Sequence, residues 1–247
     1  AAWPRFVGEF LIIVIGVLVA LGFDNWASAT SDRRLEQEYL ERLLDDVQSD
    51  LVQYEFIEAV SVAGTAYLDT LLAPGAIAEM EADRLVGAVF IASRNRNPNP
   101  IRPTFHELVS SGRIGLIRAR PVRTALVEYE EAIAQTRGFW EEVSSPLPTW
   151  VRSRVKPSIE FTWLNACGQV LSLGNLIPQP MVTCPFDLGG WNANALRRDL
   201  QTVEAESYLT LHWWRHFYGR SIVTALTEAA LSLERALESE LRGQQAF

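Results

Sequence analysis

The stretch FLIIVIGVLVALGF, Phe10–Phe23, carries no charge and no proline, and Trp3 and Trp26 stand on either side of it. Extending it back to Phe6 gives 18 residues. At ~1.5 Å per residue that is roughly 27 Å of helix, about the thickness of the hydrocarbon layer. The two tryptophans then fall near the headgroup layers, where amphipathic rings settle. The stretch therefore reads as a single membrane-spanning helix, with residues 1–30 as anchor and 31–247 as an extrinsic domain.

Glu9 lies in the first turn of the span, where its carboxylate can reach the interface or meet a polar group on a neighbouring helix. Gly8, Ile12, Gly16 and Ala20 recur every four residues and share one face, and Gly16 and Ala20 form a small-xxx-small pair that lets a second helix approach. A signal peptide is the competing reading. Arg5, the apolar core and Ala27-Ser28-Ala29 fit one. The segment is still part of the chain, so a retained anchor is expected.

The remaining length suffices for one sizeable domain. The net charge of −8 argues against a nucleic-acid partner. Charge is polarised. Asp24–Ser93 holds 14 acids and 4 arginines, whereas Arg94–Arg123 holds 7 arginines and one acid, Glu107. The basic stretch, with Arg94, Arg96 and Arg102 at its head, either packs on the acidic helix before it or offers a docking surface to a partner or to lipid headgroups.

Apolar periodicity predicts an all-α protein. Leu35, Tyr39, Leu43, Val47, Leu51 and Tyr54 mark a helix over Ser31–Leu72, ended by Pro74-Gly75, and nothing between Asn25 and Thr30 forbids its running on from the span. Glu79–Ile91 reads as a second helix. RNRNPNPIRP, Arg94–Pro103, is too rich in asparagine and proline to be regular. Thr104 and Glu107 have the spacing of a capping box for a short helix over Phe105–Ser110, closed by Gly112. Arg120-Pro121 opens a helix that runs to about Val143. Ala195–Leu241 reads as a last helix, with Gly219 as the expected kink. These make a bundle of about four helices.

Ser144–Asn194 is the irregular part, with six prolines, Trp150, Trp163 and Trp191, and both cysteines. A loop this long is functional or an interface, so its tryptophans are partner-contact candidates. Cys167 and Cys184 could close a disulfide there outside the cytoplasm, adding about 3 kcal/mol in the loop-entropy picture.

His212 and His216, in LHWWRHF, stand four apart on one helix face and form a candidate metal pair without a local third ligand. Trp213, Trp214, Phe217 and Tyr218 beside them cover more than half the helix circumference, so some are core and any exposed ones suit a protein interface. The pairs Asp45-Asp46 and Glu130-Glu131 read as solvated faces. No cofactor motif or nucleophile motif is present.

Two stretches, GEFLIIVIGVLVALGFDNW (Gly8–Trp26) and PTFHELVSSGRIGLIRARPVRTALVEYEEAI (Pro103–Ile133), resemble a widespread family of bacterial single-span membrane proteins with no established function. Glu107-Leu108, Ser111-Gly112, Leu116-Ile117, Arg123, Leu126 and Tyr129 carry the second likeness, and Glu130 stands where the family usually has a second tyrosine. The resemblance implies one N-terminal span in a bacterial inner membrane, a helical extramembrane domain, and the N-terminus inside. The body is then periplasmic.

The expected function is that of a non-catalytic accessory subunit stabilising a larger membrane complex, with photosynthetic reaction-centre or light-harvesting assemblies among the candidates. Its partners would be integral membrane subunits and the bilayer itself. The alternatives are an extracytoplasmic sensor or ligand-binding module that relies on a partner, and a metal-dependent enzyme using His212 and His216.

Overall fold

The structure is a computed structural model that describes residues 3–167 and 186–245, with side chains from residue 14 on, those of 141, 142 and 245 excepted. The described residues are helical, with no strand among them.

α1 (Trp3–Leu72) is one unbroken helix of 70 residues. Phe23 to Ala63 contains neither proline nor glycine, so no residue breaks the ladder where the apolar end meets the body. Thr30 Oγ1 returns its proton to the Trp26 carbonyl at 2.8 Å, which keeps this polar residue compatible with the helix. Ile15, Leu18, Val19, Leu21, Phe23 and Trp26 are all more than half exposed. Among the described residues this is one helix long and apolar enough to cross a membrane, and none of them covers its apolar window.

From Tyr39 onward the helix is amphipathic, and Tyr39, Leu43, Val47 and Tyr54 are buried as their spacing predicts. α2 (Ala76–Glu79) and α3 (Ala82–Ala92) follow, so the single helix expected over Glu79–Ile91 is two pieces, broken at Met80, whose backbone is extended. The irregular strap 93–102 then leads into α4 (Pro103–Ser110). Thr104 is inside α4 rather than its cap, and the capping box is not formed. Glu107 instead accepts hydrogen bonds from Tyr39 Oη at 2.8 Å and from Arg42.

Gly112, at φ 69°, closes α4 in the left-handed region and leads through a 3-10 turn, Arg113–Leu116, to α5 (Arg120–Glu142). The described part of Ser144–Asn194 is more regular than its composition suggested; residues 168–185 lie outside it. α6 (Leu147–Arg154) and α7 (Pro157–Cys167) each begin with proline in the first turn, where its missing N–H costs nothing. α8 (Asn194–Leu200) and α9 (Val203–Gln245) complete the chain.

The expected kink at Gly219 is absent. The break falls at Gln201-Thr202, where the Thr202 hydroxyl accepts the Ala205 N–H at 3.3 Å. Gly219 serves packing instead: a Cβ there would lie 2.7 Å from Cη2 of Trp140.

α9 runs antiparallel to α1, pairing Asp69 with Trp213, Gly64 with His216 and Gln48 with Glu234. α5 runs parallel to α1, with Arg118, just before it, near Glu36 and with Tyr129 level with Tyr54. Two apolar cores result. The one nearer the exposed end of α1 joins α1, α4, α5 and the C-terminal half of α9. The farther one joins the end of α1 to α3, α6, α7, α8 and the start of α9.

Candidate functional site

The polar groups inside the body gather where these two cores meet, beneath the strap. An irregular segment makes none of the ladder bonds that satisfy backbone N–H groups, so partners must come from elsewhere. α1 supplies them from one stripe, at spacings of four and three. Asp46 accepts the Thr104 N–H at 3.2 Å, Asp50 the Ile101 N–H at 2.7 Å, and Gln53 the Asn99 N–H at 2.6 Å. Gln53 also donates to the Asn99 carbonyl. Farther down, Glu36 accepts the Arg118 N–H at 2.6 Å.

Asp50 is buried, and its second oxygen accepts from Tyr129 Oη at 2.7 Å; Tyr129 in turn shares a 2.7 Å bond with Tyr54 Oη. Burial pushes the Asp50 carboxyl above its ordinary range, against the bonds from Ile101 and Tyr129 that hold it charged. Burial raises both tyrosines too. Arg102, at the end of the strap, pairs with Glu130 of α5 at 2.5 Å, both largely buried.

The strap's beginning is held by α9. Arg215, 3% exposed, donates to the Val143 carbonyl and to the side-chain oxygens of Asn95 and Asn97, and lies 4.8 Å from the Trp140 ring. His212 Nε2 is 3.2 Å from the Arg94 carbonyl, and the Arg94 guanidinium lies over Trp163. His212 and His216 stand edge to face, 4.7 Å apart. Burial drives the His212 imidazole down to about 3, with His216 adding to the effect, and His216 down to about 4, with Arg215 adding. Both are neutral at pH 7. His212 Nδ1 and His216 Nε2 have no hydrogen-bond partner, but His216 Nε2 is pressed against Gly64, and no cluster of three metal-ligating side chains occurs among the described residues. The pair fills an interior junction between α9, α1 and the start of the strap, and both rings are buried. Two shallow clefts, of about 200 and 270 Å³, lie at the α1–α2 end and beside α7, away from both histidines.

The other sequence candidates are scattered. Trp150 and Trp163 are buried in the farther core, so they are not contact surface; α6 and α7 turn them inward. Trp191 is half-buried against the same core. Trp213 is half-buried, its Nε1 donating to Asp69, while Trp214 is exposed. Arg96 is exposed, unlike Arg94 and Arg102. Gly16 and Ala20 lie on the open apolar end of α1, with nothing near Gly16; Trp3, Gly8 and Glu9 lie in its first turns, and their side chains are outside the described residues. Cys167 is buried at the end of α7 and disulfide-bonded, while Cys184 lies outside the described residues. Each acidic pair divides: Asp46 and Glu130 turn inward to the strap, and Asp45 and Glu131 stay in water.

Asp50, Gln53 and Arg215 escaped the sequence reading. The available signal was a strap with no ladder of its own, next to polar residues on the edge of an apolar stripe.

Fold and site together define an all-α protein whose first helix is long and apolar enough to cross a membrane and whose body is locked around a polar strap. The chain belongs to a family of unknown function (DUF6090), whose model matches residues 9–136, which include most of α1, the strap, α4 and most of α5. No curated protein and no solved structure matches the chain.

Proposed function

We propose that the protein is a single-span, non-catalytic accessory subunit of a bacterial inner-membrane assembly, with its helical body on the periplasmic side. The observation that carries this reading is the continuity of α1. The same helix whose residues Ile15 to Trp26 stand exposed forms the central post of the body, so the body is fixed to the anchor without a linker. The interior polar groups support the same reading, because they are spent on holding a strap rather than left open to a substrate. The disulfide at Cys167 fits an oxidising compartment. No observation on the described residues favours the sensor or the metal-enzyme alternative.

The test is purification of the tagged full chain from its native membrane in mild detergent. Co-purification of other membrane proteins at fixed stoichiometry is expected. Recovery of this chain with no other protein would sink the subunit reading.

A further inference from the structure

α9 carries two rows of residues at heptad spacing, on opposite faces. The inner row, Leu209, His212, His216, Gly219, Val223 and Leu226, is buried. The outer row, Ser207, Leu211, Trp214, Tyr218, Ser221 and Ala225, stands two residues farther on, about 200° around the helix, and is exposed at every position. Its spacings of four, three, four, three and four are those of a coiled-coil seam. Leu211, Trp214, Tyr218 and the flanking Phe217 are each 43–49% exposed. Of the charged residues between Ser207 and Ala225, Arg215 is buried and Arg220 is exposed but stands about 100° or more around the helix from every member of the row. Beyond Ala225 charge returns to the same positions with Glu228, Arg235 and Arg242.

We propose that this outer row packs against the same row of a second copy, the two α9 helices running parallel and in register. The inference rests on the reading that α1 spans a bilayer, and it names one partner of that anchored body. Helix direction and height select the occupant. α9 is antiparallel to α1, so two copies anchored in one membrane hold their α9 helices in the same direction and at the same distance from it. A two-fold axis along the membrane normal then brings Trp214 to Trp214 and Tyr218 to Tyr218 without any sliding. A seam without charges meets its own image with no like-charge repulsion.

The rings are already ordered. Trp214 stacks on Tyr218 with centroids 5.4 Å apart, and Trp213 on Phe217 at 5.1 Å, so little side-chain freedom remains to be lost. Half-exposed, the three aromatic rings and Leu211 offer on the order of 400 Å² per copy. That is about half of what a stable dimer buries per partner, ~800 Å². The seam is sized to act between copies that a membrane already holds side by side, not to dimerise in dilute solution.

The experiment uses the full chain in native membranes with Ser221→Cys, and with Ser158→Cys on the exposed face of α7 as reference. Mild oxidation is expected to give several-fold more dimer-sized product from Ser221→Cys. Adding Trp214→Lys should abolish that product in protein that still unfolds cooperatively, since Trp214 belongs to neither apolar core. A Ser221→Cys yield no greater than the reference, in protein that resists alkaline carbonate extraction, overturns the dimer and leaves the anchor reading standing. A cross-link to a different protein overturns it in favour of another occupant. Release by carbonate overturns both readings.

Discussion

Gly64 of α1 lies so close to the His216 ring of α9 that a Cβ on it would stand 2.6 Å from Nε2. This contact sets the spacing of the two long helices at the level where the two cores meet. Alanine would favour an isolated helix by about 1 kcal/mol. Overpacking a buried ring costs about 1–3 kcal/mol, and the ring is hemmed in on its other sides. Gly64→Ala should therefore lower stability, by up to about 2 kcal/mol net. The check is thermal unfolding of the single variants and of Gly64→Ala with His216→Ala. The pair should be clearly non-additive, because the second change removes the clash.

The same histidines make stability fall in acid. Their folded values, about 3 and about 4, lie below the ~6.5 of an unfolded histidine. As pH drops through ~6.5 the unfolded chain takes up protons that the folded chain refuses, at up to ~1.4 kcal/mol per pH unit for each histidine. Asp50 acts in the opposite sense: its raised carboxyl favours the folded chain as it protonates, and so softens the loss at the acid end. The melting temperature should drop between about pH 7.5 and about pH 5, and a His212→Gln, His216→Gln variant should show a flatter profile whatever its absolute stability. A wild-type midpoint that stays level over this range would contradict the account.

Tyr129 and Tyr54 should not be equivalent. Tyr129 donates to Asp50 and also bonds Tyr54, whereas Tyr54 stands at the end of the chain of bonds. Tyr129→Phe leaves a buried carboxylate oxygen short of a donor, at about 1–3 kcal/mol; Tyr54→Phe removes one hydroxyl bond, at about 1 kcal/mol. Denaturant midpoints of the two variants should fall in that order.

The two acids paired with Arg102 and Arg42 should also separate. Glu130 pairs with Arg102 where both are mostly buried, and its loss strands a guanidinium inside, so Glu130→Ala should cost about 3 kcal/mol or more. Glu107 and Arg42 are each about two-fifths exposed, so Glu107→Ala should lower the melting midpoint much less, chiefly through the acceptor that Tyr39 Oη loses. Equal losses would mean that burial does not decide the worth of these pairs.

What the sequence made legible was local. The period of Tyr39, Leu43, Val47 and Tyr54, the proline in the first turn of α5 and Gly112 after α4 each act within a few residues, and each is where its pattern put it. What it hid was the distant partner. Gly219 reads as a kink until Trp140, on another helix, is seen to need its missing side chain. Asp46 reads as solvated until the first turn of α4, 58 residues away, brings it the Thr104 N–H. Arg215 is an ordinary helix arginine until Asn95 and Asn97 supply the oxygens that let it be buried. Trp150 and Trp163 sit among prolines, which suggested loop, but proline in a first turn is compatible with the helices that turn both rings inward.

The unbroken α1 makes the protein a lever as well as a post. Thirty-eight residues separate Trp26 from Gly64, ~57 Å along the helix axis. With Trp26 at a bilayer surface, a tilt of about 10° moves the helix crossing at Gly64 sideways by roughly 10 Å. The apolar end is barely long enough to span, so it has little slack with which to absorb a change in membrane thickness. Thickening or thinning of the lipid around the anchor would then be felt as displacement of the body far from the membrane, and pairing two such levers along α9 would restrain that swing.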